Sequence, residues 1–167
     1  MADPKHIVRT GQTDWSAAVH ARHPMNDASE WRMVRLGAAV GMRRLPLNLL
    51  RVPPGKETFV PHAHGTEEEW VFVLEGAATL DLDSQSHAIG PGDYIGFPID
   101  GLVHQIRNTG PTDLVYLTGG EAVAVDVVKM PSLGKVTVFD RTGARFFDAE
   151  ANEMLTDEDW VKRARLG

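Results

Sequence analysis

Two histidines and a glutamate in one short stretch have the residue types and the spacing of a metal site. His62 and His64 are separated by one residue, and Glu69 opens the apolar, β-prone run that follows them. Alternate side chains of a β-strand point to the same face, so the two imidazoles project together, about 6–7 Å apart along the strand. Two such imidazoles can converge on one metal ion at about 2 Å each, and Glu69 can add an oxygen ligand if its strand lies beside theirs. Taken alone, the pair is also consistent with two surface histidines beside Pro61.

A second β-prone segment, residues 92–108, contributes one further histidine, His104. With this segment, the sequence resembles the cupin superfamily, whose two motifs are read as G-x5-H-x-H-x3,4-E-x6-G and G-x5-P-x-G-x2-H-x3-N. The first motif is matched by His62, His64, Glu69 and Gly76, and the second by Gly92, Pro98, Gly101, His104 and Asn108. Two spacings depart from the motifs, since six residues separate Gly55 from His62 and two separate Pro98 from Gly101. Both are one-residue loop differences that keep the candidate ligands in register.

The resemblance implies an all-β fold, the double-stranded β-helix or jelly-roll barrel of cupins. We expect a single domain over residues 1–167, with a core barrel at 31–140, an N-terminal arm at 1–30 and a C-terminal extension with a short helix at 141–167. The resemblance also implies that His62, His64, Glu69 and His104 bind one divalent transition metal ion. Three imidazoles and one carboxylate suit Zn, Ni, Mn, Co or Fe(II), and affinity order alone does not choose among them.

The elements around these motifs are predicted from their apolar patterns. Residues 70–74 are apolar at every position, so this strand needs a cover on its outer side, which can be the N-terminal arm, another sheet or a second subunit. The last of these alternatives predicts a homodimer. Asp14 can cap a short helix over residues 15–20, and Thr156 can cap a C-terminal helix over residues 157–165, whose acidic start and basic end match the helix dipole.

Composition excludes several classes of function. The chain has 167 residues, no cysteine and a net charge of −6, so neither disulfide nor thiol chemistry is available. No basic patch is evident, which argues against a nucleic-acid partner. No apolar run approaches the length of a membrane span and the start has no secretory pattern, so we expect a cytoplasmic protein without a membrane partner.

The expected partner is a small molecule bound beside the metal. Candidates for its pocket are Asn48, Arg51, Tyr94, Phe97, Ile106 and Tyr116. An open coordination position is typical of a catalytic metal, which can polarise a carbonyl or carboxylate or activate water; with Fe(II), dioxygenase chemistry is also open. The sequence therefore predicts a metal-dependent enzyme acting on a small oxygen-rich metabolite, of isomerase, lyase or dioxygenase type. The alternative is a non-catalytic module that binds or senses a sugar or an organic acid. No residue outside the ligand set stands out as a general acid or base.

Overall fold

Antiparallel strands form most of the chain in the computed structural model, which describes residues 4–99, 101–151 and 156–164. In chain order the strands are β1 (Val19–His23), β2 (Asn26–Val34), β3 (Leu47–Val52), β4 (Ala63–His64), β5 (Glu69–Glu75), β6 (Ala78–Leu82), β7 (Gln85–Ile89), β8 (Tyr94–Phe97), β9 (His104–Arg107), β10 (Leu114–Gly120), β11 (Val125–Met130), β12 (Lys135–Asp140) and β13 (Gly143–Asp148). Two α-helices accompany them, α1 (Leu36–Ala39) and α2 (Asp157–Ala164). The predicted all-β fold is confirmed.

Two sheets enclose the main core. The larger has the order β1-β2-β3-β10-β5-β8, and the smaller has the order β7-β6-β9. Alternate residues of each strand point between the sheets, so Leu50 and Val73 of the larger sheet meet Leu80 and Ile106 of the smaller one. Gly76, the last residue of the first motif, follows β5 with φ of 83°, and a Cβ there would lie 2.5 Å from the Asp113 carbonyl oxygen. This close approach explains why the motif places glycine at that position.

The N-terminal arm covers part of the outer face of the larger sheet. Trp15 packs there against a second apolar cluster built around Leu49 and Val115. This cover lies over β3 and β10, which carry Leu49 and Val115. On β5, the doubly apolar strand, Leu74 is 37% exposed.

The helix predicted after Asp14 is wrong. Residues 15–18 form a turn, and the chain then enters β1, which pairs with β2. Glu30 of β2 accepts hydrogen bonds from His20 and Arg22 of β1, so cross-strand contacts outweigh the local helix preference. The Asp14 carboxylate still binds the backbone N–H of Ser16, as an Asx turn does, without starting a helix.

A third sheet, of order β13-β12-β11-β4, extends from the barrel. It reaches the region of the first motif directly, because β4 carries His64 and pairs with β11. Near the end of the chain, the Thr156 hydroxyl accepts a hydrogen bond from the Asp159 N–H, which confirms the predicted cap of α2. Neither described helix has the length and apolar character needed to cross a membrane.

Candidate metal centre

The four residues predicted as metal ligands lie together in the structure. The Nε2 atoms of His64 and His104 are 3.3 Å and 3.4 Å from Oε2 of Glu69, and Nε2 of His62 is 3.9 Å from the same oxygen. These three nitrogens therefore share one focus. Each residue is largely buried, and the ligand-type atoms of all four lie within 4.8 Å of one another.

Strand pairing brings these side chains together across the sequence. His62 and His104 form an isolated antiparallel bridge, in which each backbone N–H donates to the carbonyl oxygen of the other, at 3.1 Å and 2.8 Å. Their rings lie 4.3 Å apart between centroids. Glu69 begins β5 opposite Phe97 of β8, and the Phe97 ring stacks on His104 at 3.7 Å and 8°. The stacked phenyl ring thus fixes the plane of one imidazole.

The outer ring nitrogen of each histidine has its own hydrogen-bond acceptor. Nδ1 of His62 lies 2.8 Å from the Val60 carbonyl oxygen, and Nδ1 of His104 lies 3.2 Å from the Leu102 carbonyl oxygen. Since a carbonyl oxygen only accepts, both Nδ1 atoms carry a hydrogen in this arrangement, which leaves the Nε2 lone pair for a ligand. Nδ1 of His64 lies 2.6 Å from Oδ2 of Asp126. All three rings are therefore oriented as metal-bound histidines are, with the outer nitrogen held by a second group.

The spacing of these atoms fits a transition metal ion. Ligand atoms at about 2.0–2.2 Å from one ion, at tetrahedral or octahedral angles, lie about 3–3.5 Å from each other. The distances from Glu69 Oε2 to His64 and to His104 fall in that range, and the distance to His62 slightly exceeds it. The chain has a His/Glu cluster that can hold one divalent metal ion.

Glu69 is held in place from its second oxygen. The Thr118 hydroxyl, on β10, is 3.0 Å from Oε1 of Glu69 and 3.0 Å from the Trp70 carbonyl oxygen. Burial is the largest influence on this carboxyl and raises its pKa, but the imidazoles of His104, His62 and His64 that face it outweigh burial and hold the pKa of Glu69 well below its usual range. Glu69 is therefore ionised, as an oxygen ligand must be.

His64 and His104 differ in their electrostatic surroundings. Burial lowers the pKa of His64, but its hydrogen bonds to Glu69 and Asp126 dominate together and raise that pKa to about 9. Burial also lowers the pKa of His104, and there the nearby Glu69 carboxylate does not reverse the effect. In the metal-free site, His64 is thus a protonated imidazolium between two carboxylates.

Three of the residues predicted for the substrate pocket lie beside the centre. Phe97, Ile106 and Tyr116 line a small cavity of about 20 Å³ together with His62, Glu69 and His104. That volume has room for about one water molecule. Tyr116 is fully buried, and burial raises the pKa of its hydroxyl, which is therefore neutral.

The other three predicted pocket residues do not line this cavity. Arg51 forms an ion pair with Asp113 and stacks over Trp15 at 5.6 Å. Tyr94 is 67% exposed on the outer face. Asn48 lies opposite Thr118 in the pairing of β3 with β10.

An acidic cleft of about 170 Å³ adjoins the centre on the side of His64, and Glu67, Glu121 and Asp126 contribute to its lining. Burial raises the pKa of Glu67 to about 7, with further increases from neighbouring carboxylates and an opposing effect from His64. The Glu67 carboxylate lies so close to Gly120 that a Cβ at that glycine would collide with it. A carboxyl group that titrates near neutrality therefore stands beside the centre.

Sequence reasoning missed two residues that contact the ligands, Thr118 and Asp126. The sequence signal for Asp126 is its position in the strand alternation, because it falls on the same face of β11 as the buried Val128 and Met130. An acidic residue on the buried face of a strand needs a partner. Thr118 has no comparable signal, because threonine is common in strands.

Comparisons with known proteins agree with this fold. The sequence pattern described as "Cupin domain" matches residues 48–120. A crystal structure of a candidate sugar phosphate isomerase from Acidithiobacillus ferrooxidans ATCC 23270 superposes with a TM-score of 0.86 at 31% identity, over 92% of this chain and 98% of that one. The chain belongs to the cupin superfamily.

Two further relatives extend the comparison. A crystal structure described as a sugar phosphate isomerase of a cupin superfamily, from Silicibacter pomeroyi DSS-3, has a TM-score of 0.76 at 26% identity, over 89% of this chain and 98% of that one. Among curated proteins, protein SchB of Streptomyces halstedii is 37% identical over 78 residues, 46% of this chain and 55% of that protein. The chain spans about half the length of the curated relatives that it matches.

Proposed function

We propose that this chain is a metal-dependent enzyme acting on a small oxygen-rich metabolite, with His62, His64, Glu69 and His104 as the metal ligands. The observation that carries the proposal is the common focus of three Nε2 atoms on one Glu69 oxygen, with every Nδ1 atom held from behind. A surface group of histidines has no reason to be oriented in this way, whereas a metal site requires it.

The ligand set defines what chemistry such a site offers. A divalent ion held by these three imidazoles and one carboxylate would supply Lewis-acid chemistry toward a carbonyl or carboxylate oxygen. The chain's own residues have separate tasks. Thr118 and Asp126 fix the ligands, Phe97 and Tyr116 restrict the space inside the barrel, and Glu67 can hold or give up a proton beside the centre near neutral pH.

Sugar phosphates are the first substrates to test, because two similar structures are described as sugar phosphate isomerases. In such an isomerisation, a proton moves from the hydroxyl-bearing carbon to the adjacent carbonyl carbon, and the hydroxyl proton moves to the former carbonyl oxygen. A candidate metal site beside a carboxyl group with a raised pKa supports a reaction that includes proton transfer, such as that of an isomerase or a lyase, ahead of a dioxygenase.

A turnover screen tests this function. Metal-free protein would be loaded separately with Zn, Ni, Mn, Co or Fe(II), incubated with a panel of aldose and ketose phosphates, and followed by proton NMR for interconversion. We expect conversion with at least one metal and none with Glu69→Gln, while His87→Ala, whose exposed side chain lies on β7, serves as the matched control. Ligands that raise the melting temperature but are never converted with any metal would instead support the binding-module alternative.

We further propose a cytoplasmic homodimer. The outer face of β5 supports the dimer, since Trp70, Phe72 and Leu74 are apolar and only partly covered there. The absence of cysteine suits a reducing compartment. Light scattering at micromolar concentration should give twice the mass of 18.3 kDa, and a monomer would contradict the dimer.

A further inference from the structure

The sheet outside the barrel contributes a carboxylate to the metal centre. Asp126 lies on β11, two residues before Val128, which pairs with His64 of β4. Its side chain is only 5% exposed, and Oδ2 is 2.6 Å from Nδ1 of His64. The family pattern ends at residue 120, so this partner belongs to a part of the chain that the pattern does not include.

The three histidines are not held by equivalent groups. His62 and His104 use backbone carbonyl oxygens, whereas His64 uses an ionised side chain. A hydrogen bond to a carboxylate is stronger than one to a neutral carbonyl, and it makes the imidazole a more basic ligand. The basicity of His64 as a metal ligand therefore depends on one side chain, that of Asp126.

Both carboxylate oxygens of Asp126 act as acceptors. While Oδ2 faces His64, Oδ1 lies 3.1 Å from the backbone N–H of Thr66 and 2.8 Å from its hydroxyl. An asparagine at this position has only one acceptor oxygen, so its NH₂ group would face either His64 Nδ1 or the Thr66 N–H. The first orientation moves the His64 hydrogen to Nε2 and removes the lone pair that binds metal, and the second removes the hydrogen bond from the Thr66 N–H to β11.

We propose that Asp126 is a positioning residue that keeps the Nε2 lone pair of His64 directed at the metal and couples β11 to metal binding. This inference rests on the proposed metal site. It gives the sheet extension a role in the centre, because a metal ion that fixes His64 also fixes the Asp126 carboxylate and the strand that carries it.

A different use of the same atoms is a second cation site. The ligand-type atoms of His64, Glu67 and Asp126 lie within 4.8 Å of one another. However, both Asp126 oxygens already accept hydrogen bonds, and Nδ1 of His64 faces one of them. The positioning role therefore predicts one metal ion per chain, and two ions per chain in the wild-type protein would overturn it.

Cobalt binding tests the inference without any enzyme assay. Co(II) affinity would be measured by chelator competition, and the visible absorption of the bound ion would report its ligand environment. We expect Asp126→Asn to weaken affinity by about 10–100-fold and to change the spectrum. Asp113→Asn is the matched control, because Asp113 pairs with Arg51 away from the centre, and it should change neither.

Hydrogen exchange on the wild-type protein supplies a readout that does not depend on whether the variant folds. Metal should slow exchange of the amides in residues 125–130 and leave those in residues 85–89, on β7, unchanged. Equal exchange at 125–130 with and without metal would overturn the coupling, as would wild-type affinity and spectrum in Asp126→Asn. Failure of the wild-type protein to bind Co(II) would overturn the proposed metal site itself and this inference with it.

Discussion

Binding of metal should release a proton from His64. In the metal-free protein this imidazole lies between Glu69 and Asp126, which raise its pKa to about 9 against the effect of burial. A histidine must give up its Nε2 proton to bind a metal through that atom. The apparent affinity for metal should therefore increase with pH until His64 is deprotonated.

The size of the effect follows from the pKa. At pH 8.0 a group with a pKa of about 9 is protonated in about 0.9 of the molecules, so binding should release about 0.9 proton per metal ion. One pH unit below the pKa, deprotonation costs about 1.4 kcal/mol, or tenfold in affinity. Glu67, with a pKa of about 7, is by then protonated in only about 0.1 of the molecules and adds little.

Titration calorimetry measures this proton directly. The observed enthalpy of binding would be determined at pH 8.0 in buffers of different ionisation enthalpy, and its slope gives the number of protons released. His87→Ala should give the wild-type slope. A wild-type slope near zero would refute the assignment of a proton to His64 in the metal-free site.

Three further perturbations test the surroundings of the centre. The pKa of His64 is raised in the folded protein, so its contribution to stability is present in full below about pH 6.5 and is lost as the pH rises through about 9. The urea midpoint for unfolding of the metal-free protein should therefore fall between these two pH values. A midpoint that increases there would contradict the prediction. Gly120→Ala places a Cβ 2.7 Å from a backbone carbonyl oxygen and should lower the free energy of unfolding by about 1–3 kcal/mol. Gly11→Ala is the control, because its Cβ would have no atom within 4 Å, and it should leave the free energy of unfolding unchanged. Equal unfolding curves for the two variants would contradict the expected clash at Gly120. Thr118→Val removes the hydroxyl that contacts the Glu69 carboxylate and should weaken metal affinity by about tenfold in chelator competition. Thr79→Val, which removes an exposed hydroxyl, is the control. Unchanged affinity in Thr118→Val would exclude a role for the Thr118 hydroxyl.

The fold and the position of the candidate ligands were accessible from the sequence because they depend on local spacing. Alternation places His62 and His64 on one face, and turn residues such as Gly92, with φ of 96°, set where the strands reverse. The motif spacing then predicts that Glu69 and His104 join them. Each of these steps uses residues close in sequence, or a resemblance that covers their order along the chain.

The contacts behind the ligands could not be predicted in the same way. Asp126 meets His64 across 62 positions, through the pairing of β4 with β11, and the sequence does not specify that register. The same limit explains the wrong helix after Asp14, because the pairing of β1 with β2 decides the structure there. Non-local strand pairing thus determines which residues contact the ligands from behind, whereas the local sequence pattern identifies the ligands themselves.

Metal content is the most direct test of the central claim. Wild-type protein would be purified without chelator or added metal and analysed by elemental mass spectrometry beside the His62→Ala/His104→Ala double variant, with His87→Ala as the control. We expect close to one transition metal ion per chain in the wild-type protein and the control, and almost none in the double variant. Equal metal content in wild type and double variant, or no metal in either after reconstitution, would contradict the proposed centre.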